Sequence, residues 1–311
     1  MIQIAVVGTG IIGRRHTEAV AASEECELCA VCDIREEAAA ELAAAYGVPY
    51  MTDYREIVTK TDAEAVILNL PHWLHAPAAV YFLEQGLHVL VEKPMANTVA
   101  ECDRMIAAAE KSGRKLAVGH LQRFFAANRR VRALCRSGEL GELCMFREYR
   151  SINYFSEDRP KWFLDPALSG GGIVMNYGAH ALDKLFYVTG HRSAAVSAVL
   201  GNRKNALGIE GHAQFLLRLP DGVGAAVTFN GYGNHGYETV YEFTVGAAKV
   251  TGGSRLWLHT AGEWQEQPLP EGDAIALQLR EFCRLLRGEA SEIVTAEEGR
   301  DIVAVIEEIY R

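Results

Sequence analysis

Three groups of residues have types and spacings suited to chemistry. Gly8, Gly10 and Gly13 stand as G-x-G-x-x-G directly after the apolar run Ile4–Val7, with Ile11 and Ile12 between them. In that setting the first glycine permits a tight turn and the second lets backbone approach a pyrophosphate. The third lets the following helix pack close on the strand, and the N–H groups at that helix start face phosphate. A second apolar run, Leu28–Cys32, ends in Asp33, 20 residues after Gly13. An acidic residue there accepts hydrogen bonds from ribose hydroxyls. The pattern predicts a dinucleotide site on Gly8, Gly10, Ile11, Ile12, Gly13 and Asp33. Asp33 repels a 2′-phosphate and so favours NAD over NADP, while Arg35, two residues on, softens that preference.

The second group is Glu92-Lys93-Pro94, at the end of the strand Leu87–Val91. Ligands of parallel sheets bind beyond the carboxyl ends of the strands, which directs Lys93 toward a nicotinamide. Read bare, the same tripeptide is a strand end with a solvated lysine. The third group is Gly170–Asp183, GGGIVMNYGAHALD. On the helix it opens, Asn176 and His180 are i, i+4 and share a face, and Asp183 is i+3 from His180. A single helical histidine can equally be structural.

These groups need a scaffold, and the chain supplies one. After Asp33 comes a helix at 36–46, closed by Gly47 and Pro49, and then a short helix at 54–59. A strand at 65–70 ends at Pro71, a helix covers 77–85, and a helix at 99–112 leads to a strand at 116–119. Strands alternating with helices of this length predict a doubly wound parallel sheet, a Rossmann domain, over residues 1–120. Residues 121–311 read as α+β. They begin with a helix at 128–136, a strand at 145–152 and an irregular aromatic stretch at 153–168. The triple glycine Gly170-Gly171-Gly172 then opens a helix running to about Tyr187. From Ala195 to Gln267 strand follows strand, as in an open, mostly antiparallel sheet, and helices at 273–288 and 296–310 close the chain. The last helix is free to dock back on the first domain, and the open sheet could bury its outer face in an oligomer.

With 311 residues, 49% hydrophobic and 23% charged, the chain has the composition of a globular protein of two domains. A net charge of −9 without a basic block gives no support for nucleic-acid or membrane-surface binding. The first strand begins at Ile2, which leaves no room for a signal or transit peptide, and no apolar run approaches a membrane span; a cytoplasmic location is expected. Seven cysteines include Cys26, Cys29 and Cys32 as C-x-x-C-x-x-C. They fall on a strand, where residues three apart face opposite ways, so no cluster is expected. His72 and His75 flank Trp73 without a third ligand, which suits capping and cofactor packing, so no metal is expected. There is no G-x-S-x-G elbow.

The sequence resembles the glucose–fructose oxidoreductase, inositol dehydrogenase and rhizopine-catabolism (Gfo/Idh/MocA) oxidoreductases along its whole length. The resemblance is carried by VVGTGIIG, by Pro71 and His75 in LPHWLHAPAAVYFLEQG, by HVLVEKP and by SGELGEL. The GGG…GAHALD segment and the closing TAEEGRDIVAVIEEIY complete it. It implies an NAD(P)-binding first domain, with Leu70, Pro71, His75, Glu92 and Lys93 beside the cofactor. It also implies a second domain whose sheet carries substrate contacts and a homodimer or homotetramer interface. The lysine of E-K-P and the histidine of GAHALD, here Lys93 and His180, are implied as catalytic in hydride transfer with a sugar or polyol. Gln122 and Arg123 fall where the family faces its substrate, and Lys93, Tyr154, Trp162, Asn176 and His180 are expected to share in substrate binding.

Oxidising a secondary alcohol needs a base for the hydroxyl proton. An unperturbed histidine, at about 6.5, suits that role, whereas a lysine would have to drop from about 10.4 to near 7 at a cost of about 4 kcal/mol. This favours His180 as acceptor with Lys93 holding the hydroxyl; the reverse assignment and a coupled pair remain open. The family position four before the histidine is often aspartate, and here it is Asn176, so His180 is expected to be less basic unless Asp183 substitutes. Arg147, Arg150, Asn153, Tyr154, Arg159, Lys161 and Trp162 form a basic-aromatic stretch that suggests an anionic or polyhydroxyl substrate, or a solvated loop. His235 and Tyr237 lie in a glycine-rich turn, and the triple glycine could cradle phosphate or act as a hinge. The reading is an NAD-dependent oxidoreductase; transient-redox glycoside cleavage and a non-catalytic NAD-binding sugar sensor are the alternatives.

Overall fold

A computed structural model describes residues 1–203, 208–260 and 262–311. The strand-rich stretch expected from Ala195 to Gln267 includes positions 204–207 and 261, which lie outside the described residues. The chain forms two compact units. One comprises Met1–Leu121 with Asp273–Arg300, the other Gln122–Gly272 with Asp301–Arg311.

The first unit is built on β1 (Ile2–Val7), β2 (Cys26–Cys32), β3 (Tyr50–Met51), β4 (Ala65–Leu68), β5 (His88–Glu92) and β6 (Leu116–Gly119). The six are parallel neighbours in the order β6-β5-β4-β1-β2-β3. Their composition dictates this. Ala65, Val66, Ile67 and Leu68 are each fully buried, as expected of a strand covered on both faces by crossover helices. The helices have identifiable ends. Thr98 Oγ1 accepts from Glu101 N at 3.2 Å to start Val99–Ser112, and Gly113 closes it at φ +66°.

The division differs from two consecutive pieces of chain. Val294–Thr295 adds antiparallel to β6, and helix Ala274–Leu286, with Ile275, Leu279 and Phe282 buried, packs on helix Ile11–Ala21. Arg287 bridges to Glu25 at 2.8 Å. The apolar stripe of this helix needs a surface, and chain order does not say which one it meets.

The second unit carries β7 (Leu143–Asn153), β8 (Ala195–Gly201), β9 (His212–Arg218), β10 (Gly224–Asn230), β11 (Tyr232–Phe243), β12 (Ala247–Thr251), β13 (Arg255–Thr260) and β14 (Glu263–Gln267). Their order is β14-β13-β12-β11-β7-β10-β9-β8, antiparallel except where β10 runs parallel to β7. In β9, Ala213, Phe215 and Leu217 are buried while Gln214 and Leu216 are exposed. The inner face meets helix Ala179–Thr189 and the end of the last helix in one core that includes Phe146, Leu182, Phe215, Phe229 and Ile306.

Candidate active site

In the first unit, β1 delivers the chain into the glycine turn. Gly8 sits at φ +89°, and a Cβ there would lie 2.3 Å from the Asn69 carbonyl oxygen. A Cβ on Gly13 would lie 1.8 Å from the Gly8 carbonyl, so turn and helix touch backbone to backbone. Gly10 is different: a Cβ on it would have nothing within 4 Å, leaving a bare backbone edge at the helix start. No side chain caps that end, and Ile11 and Ile12 are 84% and 38% exposed. This is a cradle a phosphate can approach.

Asp33 lies at the end of β2. Its Oδ2 accepts from Thr9 N and Thr9 Oγ1, each at 2.8 Å, and its Oδ1 accepts from Arg35 N at 2.9 Å and Arg35 Nε at 3.1 Å. Burial opposes its charge, but the Arg35 and Thr9 donors outweigh it and hold the carboxyl at about 2. Asp33 is therefore a fixed anion beside the turn, and the Arg35 guanidinium lies directly over it. The residues fit a dinucleotide.

Lys93 follows β5 and is partly exposed. Glu92, expected beside the cofactor, is engaged internally: His16 Nε2 is 3.3 Å from its Oε1, and Lys93 N donates to its Oε2 at 3.1 Å. Burial raises its pKa, but His16 and Lys93 prevail and leave it below the ordinary glutamate range. Glu92 holds the start of the Lys93 turn. His75, expected against the cofactor, is engaged internally. Its ring is wholly buried, with Nδ1 2.8 Å from the Pro94 carbonyl and Nε2 2.8 Å from the Leu70 carbonyl. It ties the loop after β4 to the turn after β5. Leu70 and Pro71 stay partly exposed. Cys29 and Cys32 lie on β2 with thiols pushed up by burial to about 11 and 12.

In the second unit, the helix expected after the triple glycine begins as a wide π-helical turn, Val174–Gly178, before Ala179–Thr189 continues as α-helix. Asn176 lies in the wide turn, a geometry frequent at functional sites. His180 is partly exposed, with its ring centroid 6.2 Å from that of Tyr177. Packing already engages three residues expected at the site. Arg123 is 6% exposed, and its Nε donates to fully buried Asp183 at 2.7 Å. Asp183 is thereby paired with Arg123. Tyr154 is fully buried against Phe155 and Tyr177, with burial raising its hydroxyl pKa, so it shapes the wall behind Asn176. Gln122 and Trp162 are partly exposed; the Gln122 carbonyl accepts from Asn128 Nδ2 at 2.8 Å, and Trp162 stacks on Phe163 at 3.7 Å.

The triple glycine cradles an anion, but an internal one. Gly172 N donates to Glu210 at 3.0 Å and Val174 N at 2.7 Å, and Tyr310 Oη donates to the same carboxylate at 2.8 Å. A Cβ on Gly172 would lie 2.2 Å from the Glu210 carbonyl, so close approach explains this glycine. Sequence reasoning missed Glu210 and Lys184. Lys184 is 1% exposed and contacts Glu148, with Tyr237 Oη at 2.6 Å. Its signal was a lysine inside the apolar run ALDKLFYV.

Two family models match the chain: "Oxidoreductase family, NAD-binding Rossmann fold" over residues 2–120 and "GFO/IDH/MocA C-terminal domain" over residues 128–250. The chain belongs to the Gfo/Idh/MocA oxidoreductase family. The chain is 35% identical over 188 residues to the 1-carboxy-3-chloro-3,4-dihydroxycyclo hexa-1,5-diene dehydrogenase of Comamonas testosteroni, covering 60% of this chain and 47% of that protein. It is 28% identical over 212 residues to the 4-carboxy-2-hydroxymuconate-6-semialdehyde dehydrogenase of Sphingobium, covering 67% and 65%. These alignments span less than two thirds of either relative's length. A solved Gfo/Idh/MocA-like structure, the aldose-aldose oxidoreductase of Caulobacter crescentus complexed with glycerol, superposes with a TM-score of 0.91 at 28% identity, over 100% of this chain and 96% of that one. Among the described residues of this Gfo/Idh/MocA member, no helix is long and apolar enough to cross a membrane.

Proposed function

We propose that this protein is an NAD-dependent dehydrogenase acting on a secondary hydroxyl of a sugar, cyclic polyol or sugar derivative. The observation that carries the reading is the open backbone edge at Gly10 beside the ionised Asp33, a phosphate cradle and a ribose acceptor on adjacent strand ends. Gly8, Gly10, Ile11, Ile12, Gly13 and Asp33 would hold the dinucleotide. Asp33 favours NAD over NADP by charge, although Arg35 is available to a 2′-phosphate.

NAD, when bound, supplies the two-electron acceptor for the hydroxyl-bearing carbon. His180 takes the hydroxyl proton on a ring nitrogen, as a neutral imidazole can. Lys93 Nζ donates to the substrate oxygen and stabilises negative charge developing there. Asn176 offers an amide to a neighbouring hydroxyl, and Gln122 and Trp162 contribute further polar and stacking contacts. The exposed Met145, Val199 and Leu216, on β7, β8 and β9, support a homodimer or homotetramer formed through this sheet.

NADH formation across inositols, free sugars, sugar acids and nucleotide sugars tests the reading, with Lys93→Ala and His180→Asn alongside and NAD binding measured on all three. Turnover on one substrate class, abolished in both variants while NAD still binds, is the expected result. Silence across the panel with NAD bound would favour transient-redox glycoside cleavage or a sensor, and absence of NAD binding would overturn the proposal.

A further inference from the structure

Beneath the second unit's sheet, two buried cations, Lys184 and Arg150, share one buried carboxylate, Glu148. Lys184 and Arg150 are 1% and 7% exposed, and Glu148 is fully buried. Lys184 Nζ contacts Glu148 Oε2 and donates to Tyr237 Oη at 2.6 Å and Thr239 Oγ1 at 3.1 Å, which closes one ion pair. Arg123 and Asp183 close a second at 2.7 Å. Arg150 has only the longer contact to the shared carboxylate. Its Nε stands 3.7 Å from Glu148 Oε1, and among the described residues it has no hydrogen-bond partner.

The guanidinium is nevertheless held in place. It lies over the Tyr177 ring at 4.7 Å and over the Tyr237 ring at 3.8 Å. Stacking fixes the plane of the fork without using its N–H groups, the arrangement that suits bidentate capture of a planar anion. Burying a cation without a full counter-charge is costly, so the cluster is completed by an incoming negative group. Tyr177 and Tyr237 are both partly exposed, and Tyr177 is also the neighbour of His180 at 6.2 Å. Around Glu148 two cations face one carboxylate, a local excess of a single charge, which matches a carboxylate better than a phosphate dianion.

We propose that Arg150 is the receptor for a carboxylate group of the substrate, so that the hydroxyl compound oxidised is an acid. The proposal deepens the dehydrogenase reading and rests on His180 serving the hydroxyl.

Calorimetry on the NAD-loaded enzyme, with paired probes, tests it: D-glucuronate against D-glucose, quinate against myo-inositol, and glucose 6-phosphate as the phosphate arm. At least one acid should bind about ten- to a hundredfold more tightly than its uncharged partner, the range a charge-assisted bond supports. Arg150→Met should erase that preference without lowering the thermal midpoint, because the Lys184–Glu148 pair stays closed. Arg150→Lys, which keeps the charge but loses the fork, should retain part of it. Equal binding of both members of both pairs, a preference that survives in Arg150→Met, or tighter binding of the phosphate than of either acid would overturn the carboxylate receptor. Arg150-dependent acid binding without NADH formation on any acid would instead overturn the dehydrogenase reading and leave the receptor standing.

Discussion

The Tyr310 hydroxyl donates to Glu210 Oε1 at 2.8 Å and accepts from the Met175 backbone at 3.0 Å. The next-to-last residue of the chain thus pins both the buried carboxylate and the wide turn that carries Asn176. Tyr310→Phe removes one donor from a buried acid and one acceptor from a backbone N–H, a loss of about 1–3 kcal/mol. Thermal unfolding should register that loss. If the clamp positions the turn, kcat should fall while NAD affinity, set by the first unit, stays constant.

Burial pushes Glu210 above the ordinary glutamate range, against the pull of the Val174 N–H and Tyr310. A carboxyl raised in the folded state contributes stability that is fully present below its unfolded pKa and lost as pH climbs through the raised value. Denaturation midpoints of the wild type should therefore decline just above the usual glutamate range. In Glu210→Gln this decline should flatten.

Asp33 has the opposite sign. Lowered from 3.8 to about 2, it contributes stability above the unfolded value that is lost as pH falls toward 2. The difference is worth at most about 2 kcal/mol. Asp33→Asn should remove that acid-side dependence in chemical denaturation and weaken NAD binding at pH 7.

Gly10 and Gly13 separate binding from folding. Gly10→Ala places its methyl in open space at φ −65°, so the protein should fold normally and lose dinucleotide affinity in titration calorimetry. Gly13→Ala forces a methyl to within 1.8 Å of the Gly8 carbonyl, and should cost about 3 kcal/mol or more of stability.

Asn176→Asp adds a carboxylate one turn before His180. The acidic limb of the pH–rate profile should move upward, as an adjacent anion stabilises imidazolium. An unmoved profile would separate Asn176 from His180.

The first unit was legible to a high degree because its signals are local. Ile4–Val7, the glycine spacing and Asp33 lie within one βαβ stretch, where each residue's role follows from backbone sterics and a period of two or 3.6. The open sheet was legible from turn glycines and alternation, as in His212–Arg218. Other parts were not. Helix Ala274–Leu286 shows an apolar stripe in sequence, but its partner, helix Ile11–Ala21, is some 260 residues away along the chain. Tyr154 and Arg123 have the residue types of a substrate site, and only packing shows one sealed in the core and the other spent on Asp183.

What the sequence determined by itself is the chemistry on offer: a dinucleotide turn, a lysine at a strand end, a histidine on a helix behind three glycines. Those depend on residue type and short spacing. What tertiary structure decided is which polar groups are already spoken for. Gly172 and Glu210, 38 positions apart, close on each other, as do Lys184 and Glu148 across 36. Arg150 is distinguished from the other arginines of its stretch by what surrounds it, since the cost of a buried charge depends on the neighbours that long-range folding brings and not on those beside it in the chain.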